Sequence, residues 1–108
     1  MVDAEKMKKY RLLLKGRNFL INDNGKHKKH GFHQNVFVDA DSHRQAELSA
    51  ISKIWHDKEL KQITLNPEDD PPSIQLETIW ELDILDDVSQ VEPGRTFFKE
   101  KKKWWKFW

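Results

Sequence analysis

Apolar and polar residues alternate along two long stretches of the chain, and each alternation predicts a strand with one buried face. Between Lys8 and Ile21, Tyr10, Leu12 and Leu14 fall on one side and Arg11, Leu13 and Lys15 on the other. The phase breaks after Gly16, where Phe19, Leu20 and Ile21 run on without alternation, so a bulge or sharp bend is expected at Gly16-Arg17. From Ser73 to Leu85 the alternation is clearest, with Ile74, Leu76, Trp80, Leu82 and Ile84 set against Gln75, Glu77, Glu81 and Asp83. Only Ile79 is out of phase, and Trp80 beside it is long enough to anchor a covering helix.

Between these two stretches the period changes. Asn24-Gly25 is a strong hairpin signal, followed by a polar stretch to His30 and then a strand from about Gly31 to Ala40, with Phe32, Val36, Val38 and Ala40 in phase and Phe37 opposite. Ser42 reads as a helix N-cap that accepts from the backbone at Gln45, whose side chain can reach back. The helix is expected to run to about Asp57, with Ala46, Leu48, Ala50, Ile51, Ile54 and Trp55 sweeping one broad face. Leu60 to Leu65 alternates briefly and suggests a short extended piece, and Asn66 to Pro72 is a stiff acidic loop that excludes helix interior or central strand. Asp86 to Gly94 is a loop, and Arg95 to Phe98 a short returning strand.

The order β-β-α-(β)-β predicts an α+β fold: a three- to four-stranded, mostly antiparallel sheet with one amphipathic helix on one face and a C-terminal extension. At 108 residues the chain has room for one core, so residues 8–98 are expected to form a single domain between a flexible leader at 1–7 and a basic-aromatic tail at 99–108. One helix covers only part of such a sheet. Leu13, Phe37 and Ile79 are therefore expected on the other face, covered by the tail or by a second copy of the chain, which makes a homodimer the expected state.

Charge changes this picture more through its distribution than through the net value of +1. Residues 1–33 hold nine Lys or Arg against three acids, residues 67–94 hold nine acids and no Lys or Arg, and residues 95–108 hold six bases against one acid. The acidic belt can neutralise the two basic ends, or the ends can serve as a surface for phosphate or anionic lipid. The chain has no cysteine, which removes disulfides, thiolate metal sites and cysteine nucleophiles. No stretch is long and apolar enough for a membrane span, and the first residues lack the apolar core of an export signal. A cytoplasmic protein with no integral membrane segment is expected.

The segments Tyr10 to Ile21, Phe37-Val38-Asp39-Ala40-Asp41-Ser42, Asp70-Pro71-Pro72 and Pro93-Gly94-Arg95-Thr96-Phe97-Phe98 together resemble the pattern of a family of small uncharacterised bacterial α+β proteins, over about residues 8–98. The resemblance implies no activity and no functional residues, and the tail departs from the pattern.

His27, His30 and His33 recur at every third position, a donor set that would suit zinc, copper or nickel if the rings converged. Crossing from a turn into a strand does not bring them together, and Lys26, Lys28 and Lys29 would repel a cation. His30 and His33 can instead join these lysines in contacting phosphate. Glu81, Asp83, Asp86 and Asp87 cluster where carboxylates can hold magnesium, although a solvated acidic surface is the commoner explanation. There is no phosphate loop and no nucleophile motif, so neither an enzyme nor a cofactor is expected.

The tail carries the strongest functional signal. Lys99, Lys101, Lys102, Lys103 and Lys106 surround Trp104, Trp105, Phe107 and Trp108. That mixture suits an interfacial membrane segment, a single-strand binder, or a strap docked on the protein's own sheet or a partner's acidic belt. The sequence therefore predicts a small, non-enzymatic interaction or structural module that self-associates. The alternative is nucleic-acid or anionic-membrane binding through the basic loop and the tail.

Overall fold

The computed structural model describes residues 7–83 and 94–100. Four strands, β1 (Lys8–Asp23), β2 (Lys26–Ala40), β3 (Ser73–Leu82) and β4 (Arg95–Lys99), form one antiparallel sheet in the order β3-β1-β2-β4. Two helices, α1 (His43–Trp55) and α2 (Lys58–Ile63), lie in sequence between β2 and β3. The α+β class and the antiparallel sheet agree with the sequence reading. The element order does not: it is β-β-α-α-β-β.

The long β1-β2 hairpin is the spine. It turns at Asn24-Gly25, where φ of +53° and +85° gives the two left-handed residues of a tight two-residue turn. The polar stretch Lys26–His30 is therefore strand and not loop, paired residue for residue with Phe19–Asp23. The expected bulge is present. The pairing steps from Gly16↔Phe32 to Phe19↔His30, so two residues of β1 oppose one of β2, and Asn18 takes φ of +62°.

That extra residue keeps Phe19 on the same face as Tyr10, Leu12 and Leu14. With Phe32, Val36 and Val38 of β2 and Ala46, Ala50, Ile54 and Leu60 of the helices, these residues make the core. Small Ala46 and Ala50, both fully buried, let α1 lie close to the sheet. Leu48 and Trp55 fall outside this narrower stripe. Leu48 is exposed, and Trp55 stacks at the rim on Phe19, with ring centroids 5.9 Å apart.

Leu60–Leu65 departs from the expected extended piece. Asp57 caps a new helix with its carboxylate, accepting from the backbone N–H groups of Glu59 and Leu60. Burial of Leu60 holds the helix down, and the chain becomes extended only after it, where Thr64 bridges to Ile21 and Leu65 donates to Leu20. Local capping thus outweighs a two-step alternation too short to specify a strand.

β3 also carries a surprise. Its register on β1 shifts by one at Glu77, because Leu13 pairs with Thr78 and Leu14 with Leu76. The shift turns Ile79 into the core beside Ile74 and Leu76, and turns Trp80 to the opposite face. Neither the expected place of Ile79 on the outer face nor that of Trp80 under the helix holds. Ile84, Leu85 and residues 86–87 of the acidic cluster lie outside the described residues.

β4 is fastened to the core side by Arg95. Its guanidinium donates to the Gln34 side chain and to the Asp57 carboxylate, each at 2.8 Å, and lies 5.1 Å from the centre of the Phe32 ring. The side chain is only 12% exposed, so little solvent screens these contacts. Replacing Arg95 with Ala is expected to cost about 2 kcal/mol, since it strands the partly buried Asp57 and Gln34 groups. The denaturant midpoint measures this loss, and Arg95→Lys should recover only part of it.

Candidate functional site

Both sheet faces carry rings, and only one of them is covered by helices. On the other face, among the described residues, no element packs. The central strand β1 places Arg11, Leu13 and Lys15 there, and its neighbours add Phe37 and His33 from β2 and Trp80 from β3. β4 contributes Phe98, whose residue pairs with Gly31.

Two ring-and-cation pairs are built into this face. The Arg11 guanidinium sits 4.2 Å from the centre of the Trp80 ring and donates through Nε to Asn35 at 3.0 Å. The indole remains 37% exposed at the sheet edge. The second pair surrounds Phe98. A Cβ at Gly31 would come within 2.4 Å of the Phe98 ring and 2.9 Å of the Gly16 carbonyl oxygen, so this ring packs directly on bare backbone. His33 packs against it, tilted by 34° at 5.3 Å, and Lys15 Nζ lies 5.8 Å from its centre. Neither Arg11 nor Lys15 has a carboxylate partner among the described residues. Acids do border the face: Asp39 pairs with Lys9 at one end, and Glu77 accepts from Gln75 at the β3 edge.

The histidines do not form the expected group. His33 points to the open face, whereas His30, one place out of step with it, is buried on the helix side. There its Nδ1–H donates to the Lys28 carbonyl at 2.9 Å and its ring meets Phe97 edge-on. His30 and His33 thus cannot contact one phosphate together. Among the described residues no three His, Asp or Glu side chains come close enough to share a metal ion.

Lys26, Lys28 and Lys29 lie at the start of β2, just after the hairpin turn, and are all exposed. Lys29 is engaged by Asp70, and Lys99 by Asp23 at 3.1 Å. Asp70 is one part of a polar hub at the bulge. Asn18 Nδ2 donates to Asp70 and to the Pro71 carbonyl, and Asn66 donates to the Asn18 and Asp70 carbonyls while accepting from Leu20 N–H. Glu100 closes this hub by accepting from Asn18 N–H. Lys101, Lys102, Lys103, Trp104, Trp105, Lys106 and Trp108 lie outside the described residues.

Three aspartates are held below the ordinary value near 3.8: Asp57 by the hydrogen bond from Arg95, Asp70 by those from Lys29 and Asn18, and Asp23 by that from Lys99. A carboxyl whose value is depressed on folding stabilises the fold above its unfolded value and loses that contribution as pH falls through the folded one. Thermal stability should therefore drop as pH goes from about 4 downward. Asp57→Asn should show a shallower drop in melts recorded across that range. The exposed pairs at Asp23 and Asp70 should also weaken with salt.

Two shallow depressions offer other candidates. One of about 390 Å³ at the sheet end is bordered by Lys9, Phe37, Asp39, Lys53 and Leu82. One of about 360 Å³ lies between α2 and the proline loop, lined by Trp55, Leu60, Pro67, Pro71 and Pro72. Neither brings together an acid, a base and a nucleophile in a closed space. No protein family, curated protein or solved structure matches the chain. Among the described residues, no helix is long and apolar enough to cross a membrane.

Sequence reasoning missed Arg11, Lys15, Trp80 and Phe98 as a group. The alternation on β1 already separated Arg11 and Lys15 from the core, but the face of Trp80 depends on the single register shift at Glu77.

Proposed function

We propose that this protein is a small, non-enzymatic binding module whose working surface is the open face of its sheet. The observation that carries the reading is the pairing of half-exposed rings with cations on that face, Trp80 with Arg11 and Phe98 with Lys15 and His33. Rings left at the surface beside cations that have no carboxylate partner among the described residues are a feature of recognition surfaces more than of folding cores. The shifted aspartates act as counter-ions to Arg95, Lys29 and Lys99, which leaves them acceptors and not proton carriers. A cytoplasmic setting accords with the absence of cysteine.

Self-association through this face fits less well. A two-fold axis through the face would bring Arg11 and Lys15, both on central β1, towards their own copies, and like charges facing each other oppose binding. The lysine-rich tail meets the same repulsion.

The absence of native cysteine makes the test direct. A single thiol at Thr78→Cys, on the open face, is compared with one at Ser49→Cys on α1. In the isolated full chain both should react with a maleimide at similar, solvent-exposed rates. A slow Thr78→Cys thiol would mean that the face is already filled and would refute the reading. Light scattering at the same concentration then tells a second copy from the chain's own tail.

A further inference from the structure

We infer that the open face binds single-stranded nucleic acid, with bases stacking on Trp80 and Phe98 and phosphates meeting Arg11 and Lys15. The inference rests on the reading of this face as the working surface and adds its ligand. Single-strand binders need a track of cations for the backbone and planar rings for the bases, without a pocket that closes around either. Both are present, in a definite order. Trp80 stands on the outer strand β3 level with Arg11, and Phe98 on the opposite outer strand β4 level with Gly31. Three strand spacings and about six residues along the strands separate the two rings, a diagonal of about 24 Å. A strand of about four nucleotides spans that distance. Lys15 and His33 lie between the rings and can meet the backbone and base edges on the way.

The attitude of the rings favours bases over lipid. Phe98 packs against Gly31 and Trp80 lies under the Arg11 guanidinium, so neither projects as a wedge into an acyl layer. The Trp80 indole keeps 37% of its surface exposed, enough for a base to stack beside the guanidinium. Among the described residues the acids keep to the margins, Asp39 at the end and Glu77 at the edge.

The test uses the full chain and a fluorescein-labelled oligothymidylate of about 12 nucleotides, within the range such sites cover. Anisotropy is read at several salt concentrations, with the same strand in duplex form, dextran sulfate and phosphatidylserine vesicles as competitors. The single strand should bind, quench tryptophan emission and weaken steeply with salt. Trp80→Leu should weaken binding about tenfold with its melting temperature little changed. Lys15→Gln should lower the salt slope by about one ion. If dextran sulfate competes equally charge for charge and Trp80→Leu binds as the parent does, the surface is a plain polyanion site and the inference fails. Binding to vesicles but not to the strand, or to neither, also overturns it. In each of those cases the thiol rates at Thr78→Cys still report separately whether the face is an open working surface.

Discussion

Phe32→Ala should be the most damaging single truncation in this protein, costing about 3–5 kcal/mol and lowering the melting temperature by roughly 15 °C or more. Phe32 is fully buried and sits where the parts of the fold meet. Its ring covers Gly16 of β1, tilts against Phe19 at 5.0 Å, meets Phe97 of β4 at 5.7 Å and receives Arg95 at 5.1 Å. Removing it opens a cavity beneath the hairpin and frees β4, which has only five residues with which to hold on. Domains of this size are stable by about 5–15 kcal/mol, so a large share of the total is at stake. Urea titration of parent and variant measures it, and a loss under about 1 kcal/mol would show that β4 and the hairpin are held by something other than this ring.

Gly16→Ala should be nearly as harmful, at about 2–3 kcal/mol, for the opposite reason. A Cβ there would occupy the space of the Phe32 ring, and the ring has backbone on one side and packed core on the other. The two effects must be coupled. In the Phe32→Ala background the ring is gone, so the added methyl at position 16 should cost little, giving a coupling energy of at least about 1 kcal/mol in a double-mutant cycle. Two other glycines supply the scale. Gly94 has open space around the missing Cβ and its Ala variant should fall within about 0.5 kcal/mol of the parent. Gly25 also has open space but sits at φ of +85°, so Gly25→Ala should cost about 1 kcal/mol in backbone strain alone. Additive effects at Gly16 and Phe32 would contradict the close approach.

Much of this architecture could be read from the pattern of residues. The bulge after Gly16, the Asn-Gly turn, the Ser42 cap and the short returning strand at Arg95 all follow from local rules, and local rules hold where a segment's own chemistry decides its shape. Ser42 does accept from Gln45 N–H, at 3.2 Å. What escaped was decided elsewhere in the chain. Lys26–His30 is too polar to look like strand, yet its partner Phe19–Asp23 supplies the ladder. Leu60 lies in a helix because Asp57 both caps it and anchors Arg95, a residue 38 positions away.

The candidate site shows the same division. Lys26, Lys28 and Lys29 stand out in the sequence because they are adjacent, and so do the rings of the tail. Arg11, Lys15, Trp80 and Phe98 are scattered over three strands and become neighbours only through register. One residue of slip at Glu77 decides whether Trp80 lies in the core or on the open face, and no local signal announces such a slip.

The most direct measurement is a residue-resolved map of binding: amide and indole shifts of the isotope-labelled full chain on addition of oligothymidylate. The account predicts the largest changes at Arg11, Leu13, Lys15, His33, Thr78, Trp80 and Phe98, with the outer side of α1 around Arg44, Leu48 and Ser52 silent. Changes confined to Lys26–Lys29 and residues 101–108, with the Trp80 indole unmoved, would place binding at the basic ends and contradict it.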